Sequence, residues 1–134
     1  MNPAPELLTL APDRWYAWEM WPGYGAMPYR SPVLVYEVKP LKTGRNELEL
    51  QFHNARYAQG VQTFCLRLRV LHRGPYYMIA QILYDPKDDP DRCAVISPIS
   101  LGWLNYHFSD FIKQHPDLKS MEDEELHIAL TELL

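Results

Sequence analysis

Cysteine is scarce, with only Cys65 and Cys93 in 134 residues. Two thiols so far apart make neither a disulfide scaffold nor a zinc knuckle, so a reducing, cytoplasmic setting is predicted. A signal peptide, a lipidation motif and any apolar run of about 18 residues are also lacking, and no membrane association is expected. Positive charge is in deficit: 13 Lys and Arg against 17 Asp and Glu give a formal net charge of −4. That balance argues against binding to nucleic acid or an anionic membrane driven by overall charge. What remains, 47% apolar and 22% charged residues, is the composition of an ordinary globular chain of one domain.

The recognisable catalytic and metal motifs are missing too. The histidines at 53, 72, 107, 115 and 127 form no ligand pair at metal-site spacing, so no metal and no cofactor are predicted. His107 and Asp110, three apart on a helical segment, are the one acid/base candidate, and no activated nucleophile accompanies them. None of the serines lies in a G-x-S-x-G setting. Gly23-Tyr24-Gly25 lacks the third glycine of a dinucleotide loop, and the acidic segment 85–92 lacks the glycine and terminal glutamate of a calcium loop. Cys65 shares a strand face with Arg67 and Arg69, which would make it reactive, but neighbouring glutamates compete for those cations.

Proline and aromatics are abundant in one place. Six of the 12 prolines, Pro3, Pro5, Pro12, Pro22, Pro28 and Pro32, lie in the first 32 residues. They predict an irregular arm over 1–31, with at most one short helix or strand near Arg14 to Met20. The same segment carries Trp15, Tyr16, Trp18, Trp21, Tyr24 and Tyr29, a density too apolar to leave in water. The arm must therefore pack on something. Its tryptophans either line a groove or dimer contact or close the end of their own core, and both readings stay open.

From Pro32 the hydrophobic period becomes two. Leu48, Leu50 and Phe52 alternate with Glu47, Glu49 and Gln51, and Phe64, Leu66, Leu68 and Val70 alternate with Cys65, Arg67 and Arg69. One antiparallel register, pairing positions that sum to 116, satisfies both faces: Leu50 meets Leu66, Glu49 meets Arg67 and Glu47 meets Arg69. Residues 56–60 are then its turn. Pairing positions that sum to 88 adds a strand with Leu34, Tyr36 and Val38 on the apolar face, turning around Thr43 to Arg45. Tyr76 to Tyr84 returns as a fourth strand with Met78, Ala80 and Ile82 inward, and Cys93 to Ser97 is a short fifth.

Helical spacing takes over in the last third. Ser100 is a candidate N-cap for a helix carrying Leu104, Phe108, Phe111 and Ile112 and ending near Gln114 before Pro116. A second helix starts at Ser120, with acidic residues in its first turn and a stripe of Leu126, Ala129, Leu130, Leu133 and Leu134. The predicted fold is α+β: a curved antiparallel meander of four to five strands over 32–97, covered on one face by two C-terminal helices over 100–134, with the aromatic arm across an edge.

Two functions from different classes fit these residues. One is a small binding or assembly module, self-associating as a homodimer or capturing a protein partner through the aromatic arm or a sheet edge, with Trp15, Trp18, Trp21, Tyr24, Tyr36 and Trp103 as contact residues. The other is a small enzyme or ligand-binding protein with a pocket between the sheet and the first C-terminal helix, lined by Tyr36, Phe52, Trp103 and His107. A nucleic-acid surface built from Lys39, Arg67, Arg69, His72 and Arg73 is disfavoured, because Glu37, Glu47 and Glu49 interleave with the cations. The missing catalytic constellation turns the balance away from an enzyme.

Overall fold

The computed structural model describes residues 6–21, 30–41, 46–54, 63–83 and 93–133. Its strands are β1 (Arg14–Trp21), β2 (Arg30–Pro40), β3 (Glu47–Asn54), β4 (Thr63–Arg73), β5 (Met78–Leu83) and β6 (Cys93–Pro98). The helices are α1 (Leu101–His107), α2 (Ser109–Gln114), a 3-10 helix (Pro116–Ser120) and α3 (Asp123–Leu133). All six strands are antiparallel to their neighbours, and β1 pairs with both β2 and β6, so the sheet closes into a barrel.

This corrects the open meander. The segment read as an irregular arm contains a full strand, and that strand closes the sheet. The apolar face is therefore covered by the sheet itself and not by helices. Tyr16 and Trp18 of β1 join Val33, Val35, Leu50, Phe52, Leu68, Met78, Ile82 and Ile96 in the barrel interior. Trp18 stacks on Phe52, with ring centroids 5.0 Å apart, and Phe52 on Phe64 at 5.6 Å. Leu8 and Leu10 pack against the same core, the N–H of Leu8 donates to Gly74 O at 2.8 Å, and that of Ala11 donates to the Tyr16 hydroxyl at 2.8 Å. Burial pushes that phenol above its ordinary value, against the opposing effects of the Ala11 N–H and Arg14.

The helices cover the outside of the barrel. A second cluster of Leu104, Phe111, Ile112, Leu118, Leu126 and Leu130 packs on Trp15 and Leu34, the outward side chains of β1 and β2. β1 is thus buried on both faces, with Trp15 1% and Trp18 3% exposed. A strand covered on both sides has no reason to alternate, and RWYAWEMW does not.

The β3–β4 register is the one that sums to 116, from Glu47↔Arg69 to Phe52↔Phe64. The β2–β3 register matches the expected sum of 88 at Lys39↔Glu49 and Val38↔Leu50, then shifts between Val35 and Glu37. The shift leaves Tyr36 as the extra residue of a bulge. Upstream of it parity inverts: Val33 and Val35 point into the barrel, while Leu34 faces the helices and Tyr36 is exposed. The expected placement of Leu34 and Tyr36 on the apolar face is overturned by that single extra residue.

The helical segment is also more broken than its spacing predicts. Ser100 caps α1, its Oγ accepting from Trp103 N at 3.1 Å. At Phe108 the backbone leaves helical geometry (φ −134°, ψ 51°), separating α1 from α2 where one helix was expected. The last helix begins at Asp123, after the 3-10 helix, and not at Ser120. Leu126 and Leu130 carry its buried stripe. The expected turns at 56–60 and 43–45, the acidic segment 85–92 and Leu134 lie outside the described residues.

Candidate functional site

The outward face of β1 presents Trp15, Ala17 and Glu19, two residues apart along the strand. Glu19 faces α1. Because Trp103 and His107 are four apart, they share one face of that helix, and both reach the same carboxylate oxygen. Trp103 Nε1 donates to Glu19 Oε1 at 3.0 Å, and His107 Nε2 lies 3.1 Å from that atom. Arg30 stands opposite Glu19 in the β1–β2 register and brings a guanidinium nitrogen to 3.4 Å from His107 Nδ1.

These contacts fix the tautomer. Arginine only donates, so Nδ1 must offer its lone pair, and Nε2 carries the hydrogen given to Glu19. Burial is the largest influence on the imidazole and lowers its pKa; Arg30 adds to that, while the charge and hydrogen bond of Glu19 oppose it. Both ring nitrogens are engaged. Its ring centroid lies 4.9 Å from that of Trp103 and 4.7 Å from that of Tyr106, the latter edge-on at 88°. Tyr106 itself is 83% exposed, an aromatic standing in solvent against a ring clamped from two sides.

A second set surrounds Trp15. Its backbone N–H donates to His127 Nδ1 at 3.2 Å, and its indole Nε1 donates to Thr131 Oγ1 at 3.0 Å. Its ring meets His53 at 5.9 Å, edge-on, and the Tyr36 hydroxyl hydrogen-bonds to Nδ1 of that histidine. Burial lowers the pKa of His53.

The predicted site residues are distributed unevenly. Trp15 and Trp18 are core residues, while Tyr24 and the side chain of Trp21 lie outside the described residues. Trp103 and His107 do meet at the junction of sheet and α1, but Phe52 is inside the barrel and Tyr36 sits on the β2 bulge beside His53. His107 has Glu19 and Arg30 as partners, whereas Asp110 is exposed in the first turn of α2, beyond the break at Phe108. Among the described residues every strand has a partner on both sides, so the barrel leaves no edge strand.

Glu19 and Arg30 were missed in the sequence. A signal was present: Glu19 is the single charge in WYAWEMWPGYGAMPY, and a lone carboxylate among aromatics needs donors. On the opposite side of the barrel the mixed-charge ladder forms as expected, with Glu47–Arg69 at 2.9 Å and Glu49–Arg67 at 3.5 Å. Partial desolvation and then Glu49 hold the Cys65 thiol above its ordinary value, with Arg67 opposing, so the thiol is not activated. Among the described residues no group of three His, Cys, Asp or Glu could hold a metal ion, and no helix is long and apolar enough to cross a membrane.

Compared with protein-family models, with curated proteins and with solved structures, the chain matches none.

Proposed function

We propose that this chain is a small binding or assembly module whose contact surface is the seam where α1 meets β1 and β2. The observation that carries the reading is Tyr106, 83% exposed and held edge-on to a His107 ring whose two nitrogens are both engaged. A solvent-facing tyrosine packed edge-on to His107, whose other side meets Arg30, combines residue types that dominate protein interfaces. Arg30 supplies the cation, and Trp103 stands behind the histidine. Trp21 and Tyr24, which lie between Glu19 and Arg30 in the sequence, belong to the same reading. The partner is a protein, with a second copy of the chain the first to test. A cytoplasmic location suits the thiols of Cys65 and Cys93.

Sedimentation velocity over a range of concentrations, followed by native mass spectrometry of protein from its own host, tests this. The wild type associates, and Tyr106→Ala weakens the association at least tenfold, about 1.4 kcal/mol, without lowering the melting temperature. A chain that stays monomeric and captures nothing, or a variant that associates normally, refutes the reading.

A second reading places a ligand at the same seam, favoured by the bracketing of His107 between Glu19 and Arg30. It requires a small molecule that raises the melting temperature of the wild type but not of His107→Ala.

A further inference from the structure

The helical layer is fastened to the outward face of β1 through Glu19 and Trp15, beside an exposed Arg14–Glu124 ion pair of 3.1 Å between β1 and α3. Glu19 holds α1 through Trp103 and His107, and Trp15 holds α3 through His127 and Thr131. The two fastenings are four residues apart on β1, about 13 Å. They respond oppositely to a proton.

At Trp15 the backbone N–H is the donor. Pairing of β1 with β6 begins only at Tyr16↔Pro98, and the N–H of Trp15 takes its partner from α3: the lone pair of His127 Nδ1, at 3.2 Å. An imidazolium has a hydrogen on both nitrogens, so neither ring orientation could accept from that N–H. Protonation sets donor against donor beside a residue that is 1% exposed. The loss spreads along the turn, because Thr131 Oγ1 both accepts from the Trp15 indole and donates to His127 O at 2.9 Å. At the other fastening, protonated His107 keeps its Nε2–H bond to Glu19 and loses only the approach of Arg30.

We propose that α3 is an acid-released cover of the barrel: a proton on His127 breaks its bond to the Trp15 N–H and frees α3 while α1 stays anchored on Glu19. The groups facing His127 are Asp123 and Glu124 from its own helix and Arg14 from β1, with Asp13 lining the same cleft of about 170 Å³. Burial comes first in lowering its pKa, Arg14 adds to it, and the two carboxylates oppose. Release uncovers the outward side chain of Trp15 while leaving the barrel interior closed. This does not depend on the seam being a contact surface.

Amide and indole hydrogen exchange on the full chain at pH 7.5 and 5.0, corrected for intrinsic exchange, tests it. At the lower pH, protection of the Trp15 amide and indole should fall at least tenfold further than that of the Leu50 amide, which reports global opening, while the Trp103 indole follows Leu50 within twofold. His127→Gln, which retains an acceptor and cannot titrate, should abolish the response, and His107→Gln should preserve it. Protection of Trp15 that falls no further than that of Leu50, or an excess acid response of Trp15 persisting in His127→Gln, overturns the proposal. If His127→Gln does not fold, the ring-nitrogen titration of wild-type His127 decides. A midpoint shared with the Trp15 amide shift supports the latch, and separate midpoints refute it.

Discussion

Glu19 and Trp103, 84 residues apart in the chain, are joined by a 3.0 Å bond from the indole to the carboxylate. The same oxygen takes His107, so removing the carboxylate strands two donors at once. Glu19→Ala should cost about 1 to 3 kcal/mol in urea unfolding, and Glu19→Gln, which keeps an acceptor, clearly less. Equal losses in the two variants would show that the oxygen is not what holds α1.

Trp18 lies inside the barrel on Phe52, and Tyr106 lies outside the helical layer. Trp18→Ala should destabilise by about 3 to 5 kcal/mol. Tyr106→Ala should fall within about 0.5 kcal/mol of wild type. Denaturant midpoints separate the two, and a large loss at Tyr106 would mean that its ring is structural.

Burial lowers the pKa of both His53 and His107 in the fold. A depressed folded pKa gives stability that is fully present above the unfolded value of about 6.5 and is lost as pH falls through the folded value. Unfolding free energy should therefore drop between pH 7.5 and pH 5, and His53→Gln should flatten part of that slope. Stability that rises on acidification would contradict the neutral rings.

Glu47 and Arg69 face each other across β3 and β4 with the arginine half exposed. A double-mutant cycle should return about 0.2 to 1 kcal/mol, shrinking at about 1 M salt. A coupling several times larger would mean that the ladder does more than decorate a solvated face.

Tyr36 is the extra residue of the β2 bulge. Deleting it should leave Val33, Val35 and Val38 all inward and the barrel folded, by circular dichroism and melting. Deleting Leu50 should turn either Leu48 or Phe52 outward and unfold it.

The legible parts of this fold were those with one wet face. Leu48 to Phe52 and Phe64 to Val70 alternate because charges alternate with them, and their register follows residue by residue. β1 carried no such signal, since Trp15 and Ala17 are as buried as Tyr16 and Trp18. Reading β1 as an arm left the sheet open and sent the helices to the wrong face. Bulges hide for another reason: one extra residue changes parity without changing composition, as at Tyr36. The candidate site was half visible. Trp103 and His107 stand at helical spacing, but Glu19 and Arg30 reach them only because β1 is a strand in register with β2.

That doubly covered strand also sets a clock. Tyr16 pairs with Pro98 on β6, and Trp15 bonds to Thr131, 116 residues later. At about 5 to 20 residues per second, its last partner follows by roughly 6 to 23 s. Through that interval the outward face of a tryptophan-rich strand waits for the last of its helical cover. Folding should be slow for a domain of this size, completed by its first strand and its last helix together.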